Sequence, residues 1–199
     1  MILGVTGGIS TGKSTAAAVI AKSGVRIIDC DEVSHYLTSY DPTILTAIFE
    51  HFGSRVFHRF GQLKRAELAR IAFSDEQERR ALERILHPQI KAVVLSNIET
   101  AMDHDEPLVI AAPLLIEAGM AGLMDRLWVI SCSPENQLTR LCQRSGITQD
   151  EARKWISAQM SLDEKEKYAD TVIRNDGAIE DFRAAVAQEW DALVAELPA

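Results

Sequence analysis

Eight residues, Gly7-Gly8-Ile9-Ser10-Thr11-Gly12-Lys13-Ser14, constrain this chain more than any others. They follow a short apolar run, Ile2–Thr6, and precede a stretch with helical spacing, so the pattern G-x-x-x-x-G-K-[ST] sits between a strand and a helix. Phosphoryl oxygens need many hydrogen-bond donors in a small concave space. A glycine-rich turn entering a helix N-terminus supplies backbone N–H groups and the positive end of the helix dipole together. Gly8, Ser10, Thr11, Gly12, Lys13, Ser14 and Thr15 are therefore the candidate residues for holding the phosphates of ATP. Lys13 suits the β- and γ-phosphates, and the Ser14 hydroxyl is the candidate ligand for Mg²⁺.

The remainder of the chain supplies a matching scaffold. Val25–Cys30, Leu108–Ala112, Leu127–Cys132 and Thr171–Arg174 join Ile2–Thr6 as short runs that are apolar on both alternating faces, as in strands covered by helices on both sides. Helical patterns lie between them. Lys13–Ser23 stops at Gly24. Asp41-Pro42 opens a helix carrying Ile44, Ile48 and Phe52, which closes at Gly53. Pro88 is expected to open another, and Ser133-Pro134 a further one. Thr148-x-x-Glu151 and Ser161-x-x-Glu164 read as capping boxes, and Ile179–Leu197 repeats apolar residues as an amphipathic docking helix. Strand–helix alternation predicts a three-layer α/β/α fold around a five-stranded parallel sheet. The alternation breaks between Asp31 and Glu106, which reads as several helices without a strand. Residues 32–106 are thus expected to form a helical lobe inserted in a core of residues 1–31 and 107–199.

Charge sharpens that division. The 199 residues carry a net charge of −8, which argues against a nucleic-acid surface. Between Ser54 and Lys91, however, nine Lys/Arg face five Asp/Glu, a local excess of +4 able to hold a compact anionic ligand. A solvated helical face would give the same count. The longest apolar run, Leu108–Leu115, is too short to span a bilayer, so no membrane partner is expected. Ile2-Leu3-Gly4-Val5 reads as a strand rather than a targeting signal. Cys30, Cys132 and Cys142 lack metal-ligand spacing and are expected as buried thiols in a reducing cytoplasm. A monomer is the expected state.

A phosphate loop specifies a ligand and leaves the reaction open. No Asn-Lys-x-Asp guanine-reading motif occurs, and the third strand ends Ile110-Ala111-Ala112-Pro113 without the acidic residue common in motor and switch ATPases. Kinases acting on small molecules remain, with nucleoside monophosphates or other metabolites as possible acceptors. The second strand ends Ile28-Asp29-Cys30-Asp31-Glu32, and in an open α/β sheet the C-terminal ends of the strands face the ligand crevice. A carboxylate there can orient an accepting hydroxyl and take its proton. Asp31 suits that role and Asp29 is a second candidate; spacing equally allows Asp31 to act as a helix cap. Arg140 and Arg144 share one face of the helix after Pro134, where they could stabilise a transferring phosphoryl group or lie as surface arginines.

Taken in order, these segments resemble the dephospho-coenzyme A kinase family over nearly the whole chain. The resemblance is carried by Gly7–Thr15, Ile28-Asp29-Cys30-Asp31, Gly61-x-Leu63-x-Arg65-x-x-Leu68, Leu86-His87-Pro88-x-Ile90 and Pro113-Leu114-Leu115-x-Glu117. It continues through Ser133-Pro134-Glu135-x-Gln137-Leu138-x-Arg140-x-x-x-Arg144, Gln159 with Lys165, and Ala169-Asp170-x-Val172-Ile173-x-Asn175-x-Gly177. The resemblance implies ATP-dependent phosphorylation of the ribose 3′-hydroxyl of dephospho-CoA. It makes Asp31 the catalytic carboxylate beside Lys13 and Arg140. It also implies that Arg140 and Arg144 belong to a lid at about 114–150, Arg65 and His87 to an acceptor-binding lobe, and Asn175 and Gly177 to a loop near adenine. Two positions depart from the family pattern. Ser10 replaces a glycine and is expected at φ < 0, where serine is unstrained. His35 replaces an arginine and is expected to be a helix-surface residue without a chemical role.

Overall fold

The computed structural model describes residues 1–196. Its elements in chain order are β1 (Ile2–Gly7), α1 (Lys13–Ile20), β2 (Arg26–Asp29), α2 (Cys30–Tyr40), α3 (Pro42–Phe52), α4 (Arg65–Ser74), α5 (Glu76–Asp103) and β3 (Leu108–Ala111). There follow β4 (Arg126–Ser131), α6 (Pro134–Ser145), α7 (Gln149–Ser157), α8 (Leu162–Glu166), β5 (Thr171–Arg174) and α9 (Ile179–Ala195). The chain divides into two compact units, one of Met1–Asp29 with the chain from Asn97 onward, the other of Cys30–Ser96; the boundary falls inside α5.

The first unit is built on a five-stranded parallel sheet in the order β2-β3-β1-β4-β5. β1 lies at its centre, with Val5 opposite Ala111 on one side and Trp128 on the other. β1 and β3 are buried throughout and β4 nearly so, as expected of strands covered on both faces. β2 and β5 form the sheet edges and are only partly buried, in keeping with the charged residues they carry, Arg26 and Asp29 in β2 and Arg174 in β5. α1 and α9 pack together over one apolar cluster containing Leu3, Val5, Ala16, Ile20, Val109, Trp128, Ile130, Ile173, Phe182, Val186, Trp190 and Leu193. The stripe expected along α9 is thus seated through Leu193, while Leu197 lies outside the described residues.

The second unit is helical, with one isolated antiparallel bridge between Phe57 and Leu63. Asp41 caps α3 by accepting from the N–H groups of Thr43 (2.8 Å) and Ile44 (3.1 Å), and Pro42 opens the helix. Gly53 closes it at φ 72°. Ile44, Ile48 and Phe52 are buried as their spacing requires.

One boundary differs from expectation. Pro88 does not open a helix but lies within the 28-residue α5. The preceding Glu-, Arg- and Leu-rich turns propagate well, and the ion pairs Glu76–Arg80 (2.6 Å) and Arg79–Glu83 (3.7 Å) support them. Burial of Ala81, Leu86, Ile90 and Val94 along one stripe then outweighs the hydrogen bond lost at the proline. Cys30 and Cys132 are buried, and Cys142 only partly so. Among the described residues no helix is long and apolar enough to cross a membrane.

If α9 holds the core closed, Trp190→Ala should lower unfolding free energy in urea by about 3 kcal/mol, the usual cost of emptying a buried aromatic site. A loss below about 1 kcal/mol would show that α9 contributes little to the core.

Candidate active site

The phosphate loop leaves β1 at Gly7 and enters α1 at Lys13. Three of its residues have positive φ: Gly7 at 156°, Ser10 at 61° and Gly12 at 109°. Gly12 could not carry a side chain there even if strain allowed, because a Cβ would collide with the Asn175 amide. A Cβ on Gly8 would likewise collide with the amide of Gln137. The expectation of φ < 0 at Ser10 is therefore wrong. The conformation is set by the loop's tertiary partners and not by serine's own preference.

Those partners are side chains from distant segments. The Ile9 N–H donates to Gln159 Oε1 (2.9 Å), and the Ile9 carbonyl accepts from Gln137 Nε2 (2.9 Å). The Thr11 carbonyl accepts from Asn175 Nδ2 (2.7 Å), whose own N–H continues the ladder to the Ser131 carbonyl (2.8 Å). Inside the loop the Thr11 hydroxyl donates to the Gly8 carbonyl (3.0 Å). The loop is thus held at three points by α6, by the turn after α7 and by the turn after β5.

This arrangement is suited to polyphosphate. α1 begins without a side-chain cap and without an acidic residue in its first turn, so its N-terminus keeps the dipole and amide donors that an anion would use. Lys13 is buried to 6% exposure, whereas Ser14 is exposed. The Ser10 hydroxyl and Nη1 of Arg140 are buried without a hydrogen-bond partner among the described residues. Buried donors of this kind carry a desolvation cost that phosphate oxygens would offset. Arg144, on the same helix, is exposed. Among the described residues no group of three or more His, Cys, Asp or Glu could hold a metal ion; the Ser14 hydroxyl, exposed in the first turn of α1, is a side chain that could ligate Mg²⁺ beside phosphate oxygens.

The loop's surroundings are braced by charge. Lys165 of α8 is fully buried, and its Nζ donates to both carboxylate oxygens of Glu117 (2.7 Å each) and to the Pro113 carbonyl (2.7 Å). Glu117 also accepts from the Met160 N–H (3.1 Å), next to Gln159. Burial pulls the Lys165 ammonium below the ordinary lysine range and the Glu117 carboxylate opposes that pull. Asp176 accepts from the Ser133 N–H (2.7 Å) and Asn136 Nδ2 (2.8 Å), which ties the turn after β5 to the start of α6. Those hydrogen bonds, the Ser133 backbone first, hold its carboxyl below the usual range. Gly177 is exposed in the same turn.

The other candidates lie in the second unit, apart from Asp29, which belongs to the first. Asp31 is exposed in the first turn of α2, which begins at Cys30, so Asp31 lies inside the helix rather than at its cap. Asp29 is the last residue of β2, paired in register with Ala111. Arg65 donates to the Thr38 hydroxyl (2.5 Å), the Ser39 hydroxyl (2.6 Å) and the His35 carbonyl (3.0 Å), joining the start of α4 to α2. His87 is half-buried in α5, and the His35 side chain is exposed on α2. Sequence reading missed Gln137, Gln159 and the Lys165–Glu117 pair as parts of the site. All four stand in the ordered motifs, but spacing carries no information on where an amide or a carboxylate points.

The dephospho-CoA kinase family profile matches residues 1–181. A dephospho-CoA kinase of Symbiobacterium thermophilum is 40% identical over 192 residues, covering 96% of this chain and 80% of the relative. A crystal structure from Thermus thermophilus aligns with a TM-score of 0.76 and 32% identity, covering 100% of this chain and 98% of the other. The dephospho-CoA kinase of Campylobacter jejuni aligns with a TM-score of 0.69 and 27% identity, covering 98% and 96%.

The buried ion pair gives a direct test. Glu117→Gln should cost about 3 kcal/mol of stability by stranding a buried ammonium, and adding Lys165→Met should recover most of it. The pH dependence has a defined sign. The folded chain holds the Lys165 proton less tightly than the unfolded chain, so this group's contribution to stability rises as pH climbs from its folded pKa toward the ordinary value of 10.5. Urea unfolding of the three proteins between pH 7 and 10 checks both statements. A double variant no more stable than Glu117→Gln would show that the stranded charge is not the cause.

Proposed function

The chain belongs to the dephospho-CoA kinase family, whose members phosphorylate dephospho-CoA with ATP to give CoA, and from this premise we propose that it transfers the γ-phosphoryl group to the ribose 3′-hydroxyl. The observation that carries the reading is the loop itself. Left-handed residues at Ser10 and Gly12, an uncapped α1 and a buried Lys13 make a concave site for phosphate oxygens.

In this reading Gly8, Ser10, Thr11, Gly12, Lys13, Ser14 and Thr15 hold the triphosphate, and Asn175 and Gly177 lie toward adenine. Mg²⁺, held by the Ser14 hydroxyl and the phosphates, would neutralise charge on the donor when bound. Asp31 accepts the proton of the 3′-hydroxyl as its oxygen attacks the γ-phosphorus. The bond from that phosphorus to the β,γ-bridging oxygen breaks, and ADP leaves with the electron pair. Lys13 and Arg140 stabilise the charge spread over the transferring group, and Arg144 supports them from the next turn of α6. The helical unit, with Arg65, His87 and the local +4 excess between Ser54 and Lys91, binds the anionic acceptor. Arg65 does so while anchored to α2, its Nε–H and one Nη1–H remaining for the ligand. The enzyme is proposed to act in the cytoplasm as a monomer, binding neither membrane nor nucleic acid.

Incubation with Mg-ATP and a panel of dephospho-CoA, nucleoside monophosphates and other small alcohols should release ADP fastest with dephospho-CoA. Faster turnover of another acceptor would sink the substrate assignment. Lys13→Ala and Asp31→Asn should each lower kcat by at least about 100-fold in protein that remains folded. Near-normal kcat in Asp31→Asn would remove it as the base. Arg140→Ala should lower kcat far more than ATP affinity, and a change in affinity alone would exclude its transition-state role.

A further inference from the structure

We propose that Gln137 and Gln159 are positioning residues of the phosphate loop, which fix its two central peptide planes so that the Ser10 amide, and not the Ile9 amide, faces the phosphates. The inference rests on the nucleotide-binding part of the proposed function and is independent of the acceptor.

Two hydrogen bonds converge on Ile9. Gln137 Nε2 holds the carbonyl of the Ile9–Ser10 peptide, and Gln159 Oε1 holds the N–H of the Gly8–Ile9 peptide, each at 2.9 Å. In a trans peptide the N–H points opposite to the carbonyl. With the Ile9 carbonyl drawn toward Gln137, the Ser10 N–H is turned away from it. The Ile9 N–H is already engaged by Gln159.

Ser10 shows what the first of these bonds does. Rotating the Ile9–Ser10 peptide plane changes ψ of Ile9 and φ of Ser10 together, so the carbonyl direction and the left-handed φ of 61° at Ser10 are one geometric choice. Left to itself an L-residue populates that region about tenfold or more less readily than the right-handed one. Glycine carries no such bias. A flip that relieved Ser10 would swing its N–H out of the loop and a carbonyl oxygen in, which repels phosphate. The bond from Gln137, itself 5% exposed, opposes the flip. Gln137 also precedes Arg140 by about one turn of α6, so the same bond sets the register of that helix on the loop.

The importance of Gln137 must depend on whether residue 10 resists φ > 0. Binding of a non-hydrolysable ATP analogue with Mg²⁺, without acceptor, is measured by calorimetry for Gln137→Met and Gln159→Met in the parent chain and in the Ser10→Gly background. Gln137→Met should weaken binding about tenfold in the parent and about threefold or less with Ser10→Gly. Gln159→Met acts on the other peptide plane and should weaken binding by the same factor in both backgrounds. Gln137→Leu, which removes the donor without adding charge, repeats the comparison should the methionine variant fold poorly. Equal factors in both backgrounds for Gln137→Met, or for Gln137→Leu in its place, would overturn the proposal, as would masking of Gln159→Met by Ser10→Gly. Failure of the parent itself to bind the analogue would instead defeat the proposed function.

Discussion

Everything else in the nucleotide-binding unit answers to the backbone of the loop between β1 and α1. An anion site made of peptide N–H groups works only if successive peptides are turned inward, and inward-turned peptides demand conformations that most residues avoid. Gly12 meets that demand by having no side chain, and Asn175 packs into the space a Cβ would take. Ser10 meets it against its own preference. The hydrogen bonds from Gln137, Gln159 and Asn175 supply what the loop sequence alone does not. Removing water from the loop makes each of these bonds stronger and each unmade bond costlier.

This explains why so much of the chain after β3 is devoted to bracing. The buried Lys165–Glu117 pair joins α8 to the segment after β3, and Glu117 also fixes the Met160 amide next to Gln159. Asp176 joins the turn that carries Asn175 to the start of α6, which carries Gln137. The side chains that grip the loop are therefore themselves placed by charged groups a residue or two away. Such a buried pair adds little net stability compared with apolar residues of the same volume. Here the pair holds the carboxylate that accepts from the Met160 N–H, one residue from Gln159.

The sequence was most legible where local chemistry decides structure. The phosphate-loop pattern, both capping boxes, Asp41-Pro42 and the five strand runs all map onto the observed elements, because each depends on neighbours within a few residues. It was least legible where distant side chains override local preference. Serine by itself avoids φ > 0, yet Ser10 stands at φ 61°, and the amide that holds its neighbour comes from a residue 128 positions from Ile9. Proline lacks an N–H and by itself favours a helix start, yet burial on both sides of Pro88 carries α5 through it. The order of the strands, with β1 at the centre, depends on pairings between segments far apart in the chain and is not written in any one strand run. The ordered motifs placed Gln137, Gln159, Glu117 and Lys165 in the right neighbourhood, but the direction of a side chain is a property of the fold.

The central claim is that this loop holds ATP so that its terminal phosphoryl group passes to one hydroxyl of dephospho-CoA. Phosphorus NMR of the purified chain with Mg-ATP and dephospho-CoA tests it in a single sample. A ribose 3′-phosphomonoester resonance should grow in step with ADP, one for one, with no lasting excess of inorganic phosphate. ADP accumulating with inorganic phosphate alone, or phosphate appearing at another position of the acceptor, would contradict the account.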